Sequence, residues 1–251
     1  MKDDSELRKR MRELAQRNKR YGSPRIHILL KKEGLVINHK KTERIYREEG
    51  LSITKRTRKK HLLPFRIPMP EASRPNEVWS IDFMSDAYGE RNLLKILTMV
   101  DDFSRLSPGI LAKRSITGKG VTEFIDRMSM VYGYPKRIRV DNGPEFSSQV
   151  FHQWALTRGI LIEHIRPGKP QDNAYIESFN GKFRDECLNE HWFLTLQDAQ
   201  QKIETWRKQY NRQRPHSSLS GLTPYEFIKE QQNKNLTKEE TVNLKLAQTM
   251  G

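Results

Sequence analysis

Apolar positions change their period along this chain, and the change divides it. Leu7, Met11 and Leu14 recur at helical spacing among arginines and lysines, which predicts an amphipathic helix over residues 5–20. Tyr21-Gly22-Ser23-Pro24 stops it. Ser23 as cap and Pro24 at the first helical position then start a second helix, Ile26 to Glu33, closed by Gly34. Asn38 is placed to cap a third, with Thr42, Ile45 and Tyr46 inside it and Gly50 beyond its end. Three short helices with abrupt turns predict a small all-α, helix-turn-helix-like domain over 1–54. Residues 55–76 have no such period. The block Lys55-Arg56-Thr57-Arg58-Lys59-Lys60 is followed by prolines at 64, 68, 70 and 75, which obstruct helix and sheet ladder alike, so an extended basic linker is expected.

From Val78 the pattern becomes that of strands. Val78 to Met84 is rich in strand formers, Tyr88-Gly89-Glu90-Arg91-Asn92 turns the chain, Leu93 to Val100 returns it, and Gly109 to Ala112 supplies a third strand after Ser107-Pro108. A helix over 118–132, a strand Arg137 to Val140, a helix over 147–158, a strand Leu161 to Ile165 and a helix from Asp172 to Arg184 follow. The order βββαβαβα predicts an α/β class: a mixed five-stranded sheet flanked by helices. A last helix over 197–210 buries Ile203 and Trp206, and residues 233–251 form a polar tail.

Charge sharpens this division. The net charge is +15, and residues 1–66 carry 21 Lys and Arg against 8 Asp and Glu, leaving 25 against 23 for the rest. A basic region of this kind recovers free energy through counterion release, so a nucleic-acid partner is favoured over a bare solvated surface. The single cysteine, Cys187, excludes an internal disulfide. No apolar run approaches the ~20 residues of a membrane helix, and the first residues lack the apolar stretch of a secretory signal. The expectation is a soluble protein of a reducing, cytoplasmic compartment.

Three carboxylates stand out. Asp82 sits within an apolar strand, where a carboxylate is costly to bury unless it is paired or holds a metal. Asp141 opens the turn Asp141-Asn142-Gly143 after a strand, a position that turn chemistry alone also explains. Glu177 lies on a helix with Arg184 seven positions later on the same face. With the first strand central and the fourth beside it, and 35 residues between Asp141 and Glu177, the three can converge. Carboxylates without histidine or cysteine suit magnesium or manganese better than zinc.

Trp79-Ser80-Ile81-Asp82, Val140-Asp141-Asn142-Gly143-Pro144-Glu145-Phe146, and Asn173-Ala174 through Glu177-Ser178-Phe179 to Arg184 resemble the three catalytic motifs of the DDE integrase superfamily. Their spacing is similar to that of bacterial insertion-sequence transposases of the IS-three family, the downstream, OrfB-type product. Tyr21 to Ile26, Asn38-His39-Lys40, and Tyr210-Asn211 through Arg214-Pro215-His216 to Leu222-Thr223-Pro224-Tyr225-Glu226 resemble other stretches of that family, so the likeness covers about 5–230. It departs at Ser220, where the family more often has a second glycine.

The resemblance implies a ribonuclease-H-like catalytic core over 77–232, including a C-terminal helix, that cleaves element ends and joins them to target DNA. Asp82, Asp141 and Glu177 would be both catalytic residues and ligands of two Mg²⁺ (or Mn²⁺) ions with DNA bound, roughly 3.5–4 Å apart. Arg184, Lys169, Lys55, Arg56 and Arg58 are the candidate DNA contacts. The implied partners are double-stranded DNA (terminal repeats and target), further copies of the chain, and an upstream, OrfA-type product as partner or fusion, in a bacterial cytoplasm at the nucleoid, with no membrane. Two other readings compete: a catalytically inactive DNA-binding regulator of the same fold, and a structure-selective nuclease. Glu145 is the rival third ligand, Asp101 and Asp102 read as turn residues, and Phe179 and Phe183 read as core. Without a cysteine in the first 186 residues, a zinc-binding N-terminal domain of retroviral type is not expected.

Overall fold

The computed structural model describes residues 4–53, 71–166 and 173–234. They fall into two compact units, residues 4–53 with Pro215–Gly221, and residues 71–214 with those from Leu222 on. In the first unit, α1 (Ser5–Arg17), α2 (Ser23–Lys32) and α3 (His39–Glu48) enclose a core of Leu7, Met11, Leu14, Ile26, Leu30, Ile45 and Tyr46, the side chains that the helical spacing selects. The Asn38 side chain caps α3 by accepting from Lys40 N at 2.9 Å. Ser23 is not a cap. Gly22 takes the extended N-cap conformation (φ −75°, ψ 172°), so Ser23 is already helical and the cap has no side-chain bond.

The basic surface of this unit is partly consumed within it. Arg8 pairs with Glu48 and Glu49, Arg10 with Glu13 and Glu33, Lys41 with Asp4, and Arg47 with Glu43. Long cations on α1 and α3 reach carboxylates on neighbouring helices. The segment Pro215–Gly221 packs here through Gly221 (φ +84°), where an added Cβ would stand 3.1 Å from Ile28 Cδ1. Ser220 also adopts the left-handed conformation, with φ +55°.

The second unit is a five-stranded sheet in the order β3-β2-β1-β4-β5, with β1 Val78–Tyr88, β2 Asn92–Asp101, β3 Ile110–Lys113, β4 Arg137–Val140 and β5 Leu161–His164. β1 is central: it pairs antiparallel with β2 from Trp79↔Asp101 to Tyr88↔Asn92, and parallel with β4 at Val78↔Arg137 to Ser80↔Arg139. It runs four residues beyond the expected end. Ser85-Asp86-Ala87 are poor strand formers, but the hairpin pairs each of them across to β2.

Strand alternation sends side chains to two cores. Ile81, Leu97, Met99, Ile138 and Val140 pack under α4 (Gly118–Tyr132) and α5 (Gln149–Arg158). Met84, Leu94, Ile96 and Val100 pack under α6 (Ala174–Glu186) and α7 (Leu196–Arg212), with Phe179, Phe183, Trp206 and Tyr210 in mutual ring contact. Asp82, between Ser80 and Met84 in the alternation, therefore faces α6. Residues 224–234 are helical, an element that sequence periodicity missed. Its signal is a capping box: Thr223 N donates to Glu226 Oε2 at 2.8 Å and Glu226 N to Thr223 Oγ1 at 3.2 Å, with Pro224 between.

Candidate active site

Asp82 is half-buried on the central strand. Its Oδ1 accepts from Phe83 N and its Oδ2 from Asn180 Nδ2, both at 2.8 Å. Burial is the first cause that raises its pKa, to about 6; the Phe83 and Asn180 bonds oppose the rise, and the charges of Asp141 and Glu177 add to it. The charges of Asp141, at the end of β4, and of Glu177, in the first turn of α6, thus reach Asp82 on β1.

Asp141 follows β4, and its Oδ1 accepts from Gly143 N at 2.9 Å, the turn bond expected of an Asp-Asn-Gly sequence. A Cβ on Gly143 would lie 2.9 Å from that oxygen, so the turn closes this tightly only around glycine. His164 Nδ1 lies 3.2 Å from the Asp141 carbonyl oxygen and joins the turn to β5. Glu177 is exposed, one turn into α6. Among the described residues no three His, Cys, Asp or Glu side chains stand at metal-holding distance. The chemistry of the three carboxylates fits a hard divalent ion: acceptor-only oxygens, that of Asp82 costly to ionise first because of burial and further because of the charges of Asp141 and Glu177.

Glu145 is drawn elsewhere. It forms an ion pair with Lys95, whose ammonium also sits 4.5 Å from the Phe83 ring centroid. Burial would raise the Glu145 pKa, but the Lys95 bond and charge outweigh it and the net shift is downward. Phe83 belongs to the sheet face opposite Asp82, which turns the Lys95–Glu145 pair away from that carboxylate.

Asp101 and Asp102 are buried structural groups. Asp101 accepts from Ser104 N, Ser104 Oγ and Asn76 N. Asp102 accepts from Ser80 Oγ at 2.7 Å and pairs with the buried Arg139 at 2.8 Å, and Arg139 also reaches Glu163. Arg139, the buried cation of β4, was not singled out by sequence reasoning, and neither were Thr98 and Asn180. Asn180 had a readable signal: an amide three residues after Glu177, between the core positions Phe179 and Phe183.

Arg184 is exposed on the Glu177 stripe of α6, with Nη2 3.4 Å from the Ser85 carbonyl oxygen. Lys169, Lys55, Arg56 and Arg58 lie outside the described residues. None of the described helices is long and apolar enough to cross a membrane.

An integrase core domain model matches residues 72–170, a second integrase core domain model residues 158–224, and an HTH-like domain model residues 2–61. The chain is 48% identical, over 88% of its length and 80% of the relative's, to the "Insertion element IS407 uncharacterized 31.7 kDa protein" of Burkholderia multivorans. It is 26% identical, over 86% of its length and 78% of the relative's, to "Transposase InsF for insertion sequence IS3A" of Escherichia coli. Among solved structures, the simian T-cell lymphotropic virus intasome in complex with the PP2A regulatory subunit B56 gamma matches 87% of this chain and 74% of its own with a TM-score of 0.55. At 18% identity that likeness speaks for the fold.

Proposed function

Because the chain belongs to the integrase-core transposases of bacterial insertion sequences, in the IS-three group, we propose that Asp82, Asp141 and Glu177 are its catalytic carboxylates. The protein is a DNA transposase, a polynucleotidyl transferase of the DDE type, that cleaves element ends and joins them to target DNA. The observation that carries the residue assignment is the Asp82 carboxyl, raised to about 6 by burial and by the charges of Asp141 and Glu177.

The family uses divalent metal. Asp82, Asp141 and Glu177 would hold it, a first ion in the free chain and two Mg²⁺ or Mn²⁺ ions once DNA is present. When bound, such ions supply charge stabilisation and a more acidic attacking hydroxyl. The chain's own residues do the positioning. β1 and the Phe83 N–H hold Asp82 on the central strand, the Gly143 N–H fixes the Asp141 carboxylate, and α6 carries Glu177 in its first turn. Arg184, seven residues on along the same stripe, is placed to meet a phosphate of the DNA end. The basic linker residues Lys55, Arg56 and Arg58, and Lys169, are proposed to contact DNA backbone, with the HTH-like domain on the terminal repeats.

DNA is the partner, and an intasome-like assembly of copies acts on it. An upstream, OrfA-type product as partner or fusion, and a place at the nucleoid in the bacterial cytoplasm, are part of the same proposal.

Oligonucleotides carrying the terminal repeats, incubated with the protein and Mg²⁺ or Mn²⁺, provide the test. Cleaved and joined products are expected from the wild type. Asp82→Asn, Asp141→Asn and Glu177→Gln should each lower the rate about a thousandfold or more, since several kcal/mol of transition-state stabilisation go with the ions. Activity that survives all three substitutions would sink the assignment.

A further inference from the structure

A polar relay crosses three elements to reach Asp82. Asn180 Nδ2 donates to Asp82 Oδ2 at 2.8 Å, and Asn180 Oδ1 accepts from the Thr98 hydroxyl at 2.8 Å. Thr98 stands directly opposite Asp82 in the β1–β2 register, its hydroxyl 3.1 Å from the Asp82 carbonyl oxygen. Asn180 follows Glu177 by three residues, so both lie on adjoining turns of one side of α6. Thr98 is fully buried and Asn180 is 8% exposed, in a core otherwise made of Phe179, Phe183, Ile96 and Val100. Polar groups so placed are costly unless their bonds are made.

Chemistry fixes the sense of the amide. A carboxylate only accepts, so the NH₂ must face Asp82 and the carbonyl must face Thr98. The Thr98 hydroxyl has one proton, and the closer acceptor is Asn180 Oδ1. Without that O–H the Asn180 carbonyl would lose its donor in a buried site, and only the carboxylate would hold the amide in this sense. Asp82 Oδ1 takes its own N–H from Phe83. Each carboxylate oxygen then carries one N–H bond and keeps acceptor capacity for a cation.

We propose that Asn180, oriented by Thr98, is a positioning residue that fixes the Asp82 carboxylate for divalent-cation binding and ties it to the helix carrying Glu177. This rests on the carboxylate reading above. One amide sets both the orientation of Asp82 and its placement against α6. Outer partners of this kind are typically worth about 10–100-fold in metal affinity.

The test is Mn²⁺ binding to the full chain without DNA, read from the electron paramagnetic resonance signal of free Mn²⁺, with thermal unfolding measured alongside. Asn180→Ala is expected to weaken Mn²⁺ binding about 10–100-fold. Thr98→Val keeps the shape of the side chain but removes the O–H, and should weaken binding as well. Thr98→Ser loses a methyl but keeps the O–H, and should bind as the wild type does. A packing role for Thr98 predicts the opposite order for these two variants, and they carry the test by themselves if Asn180→Ala does not fold. Mn²⁺ affinity unchanged in Asn180→Ala and Thr98→Val, while Asp82→Asn abolishes binding, overturns the positioning role alone. A wild type that binds no Mn²⁺, or an Asp82→Asn variant that binds it equally well, overturns the carboxylate reading and the positioning role together.

Discussion

Asp82 is held in a state that costs the metal-free fold stability. Its carboxyl titrates near 6 in the folded chain against an ordinary 3.8, so between those values the folded protein binds a proton that the unfolded chain has released. Stability therefore falls as pH rises from about 4 to about 6, and the deficit persists above that. Without divalent cation, Asp82→Asn is expected to be the more stable protein at pH 7–8, by something on the order of 1–3 kcal/mol. The difference should close as pH falls below about 4, and Mn²⁺ should raise the unfolding temperature of the wild type but not of the variant. Calorimetry across pH checks this. A second residue-scale cost is Ser220, whose φ of +55° is one that glycine adopts freely, which gives a physical reason for the glycine more usual there. Ser220→Gly should add roughly 1 kcal/mol to stability in chemical denaturation and leave cleavage rates unchanged.

At the scale of an element, α6 joins core and chemistry in one helix. Ile176, Phe179 and Phe183 bury one side, Asn180 sits at its border, and Glu177, Gly181 and Arg184 follow one another along the exposed side. Gly181 lies in open space: among the described residues no heavy atom beyond the backbone of α6 and the adjoining residues lies within 4 Å of where its Cβ would stand. A mid-helix glycine costs roughly 0.5–1 kcal/mol relative to alanine, and its missing side chain leaves room beside Glu177 for the DNA backbone of the proposed function. Gly181→Ala should raise the unfolding temperature and lower the affinity for end-bearing oligonucleotides. Affinity that does not change would take this face of α6 out of the DNA interface. The Lys95–Glu145 pair acts on the other side of the sheet, tethering the turn after β4 to β2.

For the whole molecule, charge is divided as the units are. Most of the +15 lies in residues 1–66, and the ion pairs within the first unit leave that net charge unchanged. DNA affinity of the full chain should fall steeply with salt, with a slope near −0.9 for each phosphate neutralised, and a protein reduced to residues 71–234 should show a much shallower slope in fluorescence anisotropy. Equal slopes would move the electrostatic footprint into the catalytic unit. Much of this architecture was legible in the chain itself. Helical and strand periods place α1 to α7 and β1 to β5, because burial of one face imposes its period on the residues. Motif spacing singles out Asp82, Asp141 and Glu177 as candidates, in the middle of a strand, in a turn and at a helix start. The tertiary structure alone decided the partners. Whether Glu145 faces a cation or Lys95, whether arginines of the first unit meet glutamates or solvent, and whether Thr98 and Asn180 meet Asp82 depend on strand register and helix packing. Those bring together residues 82, 98 and 180 across distances in sequence that no local pattern encodes.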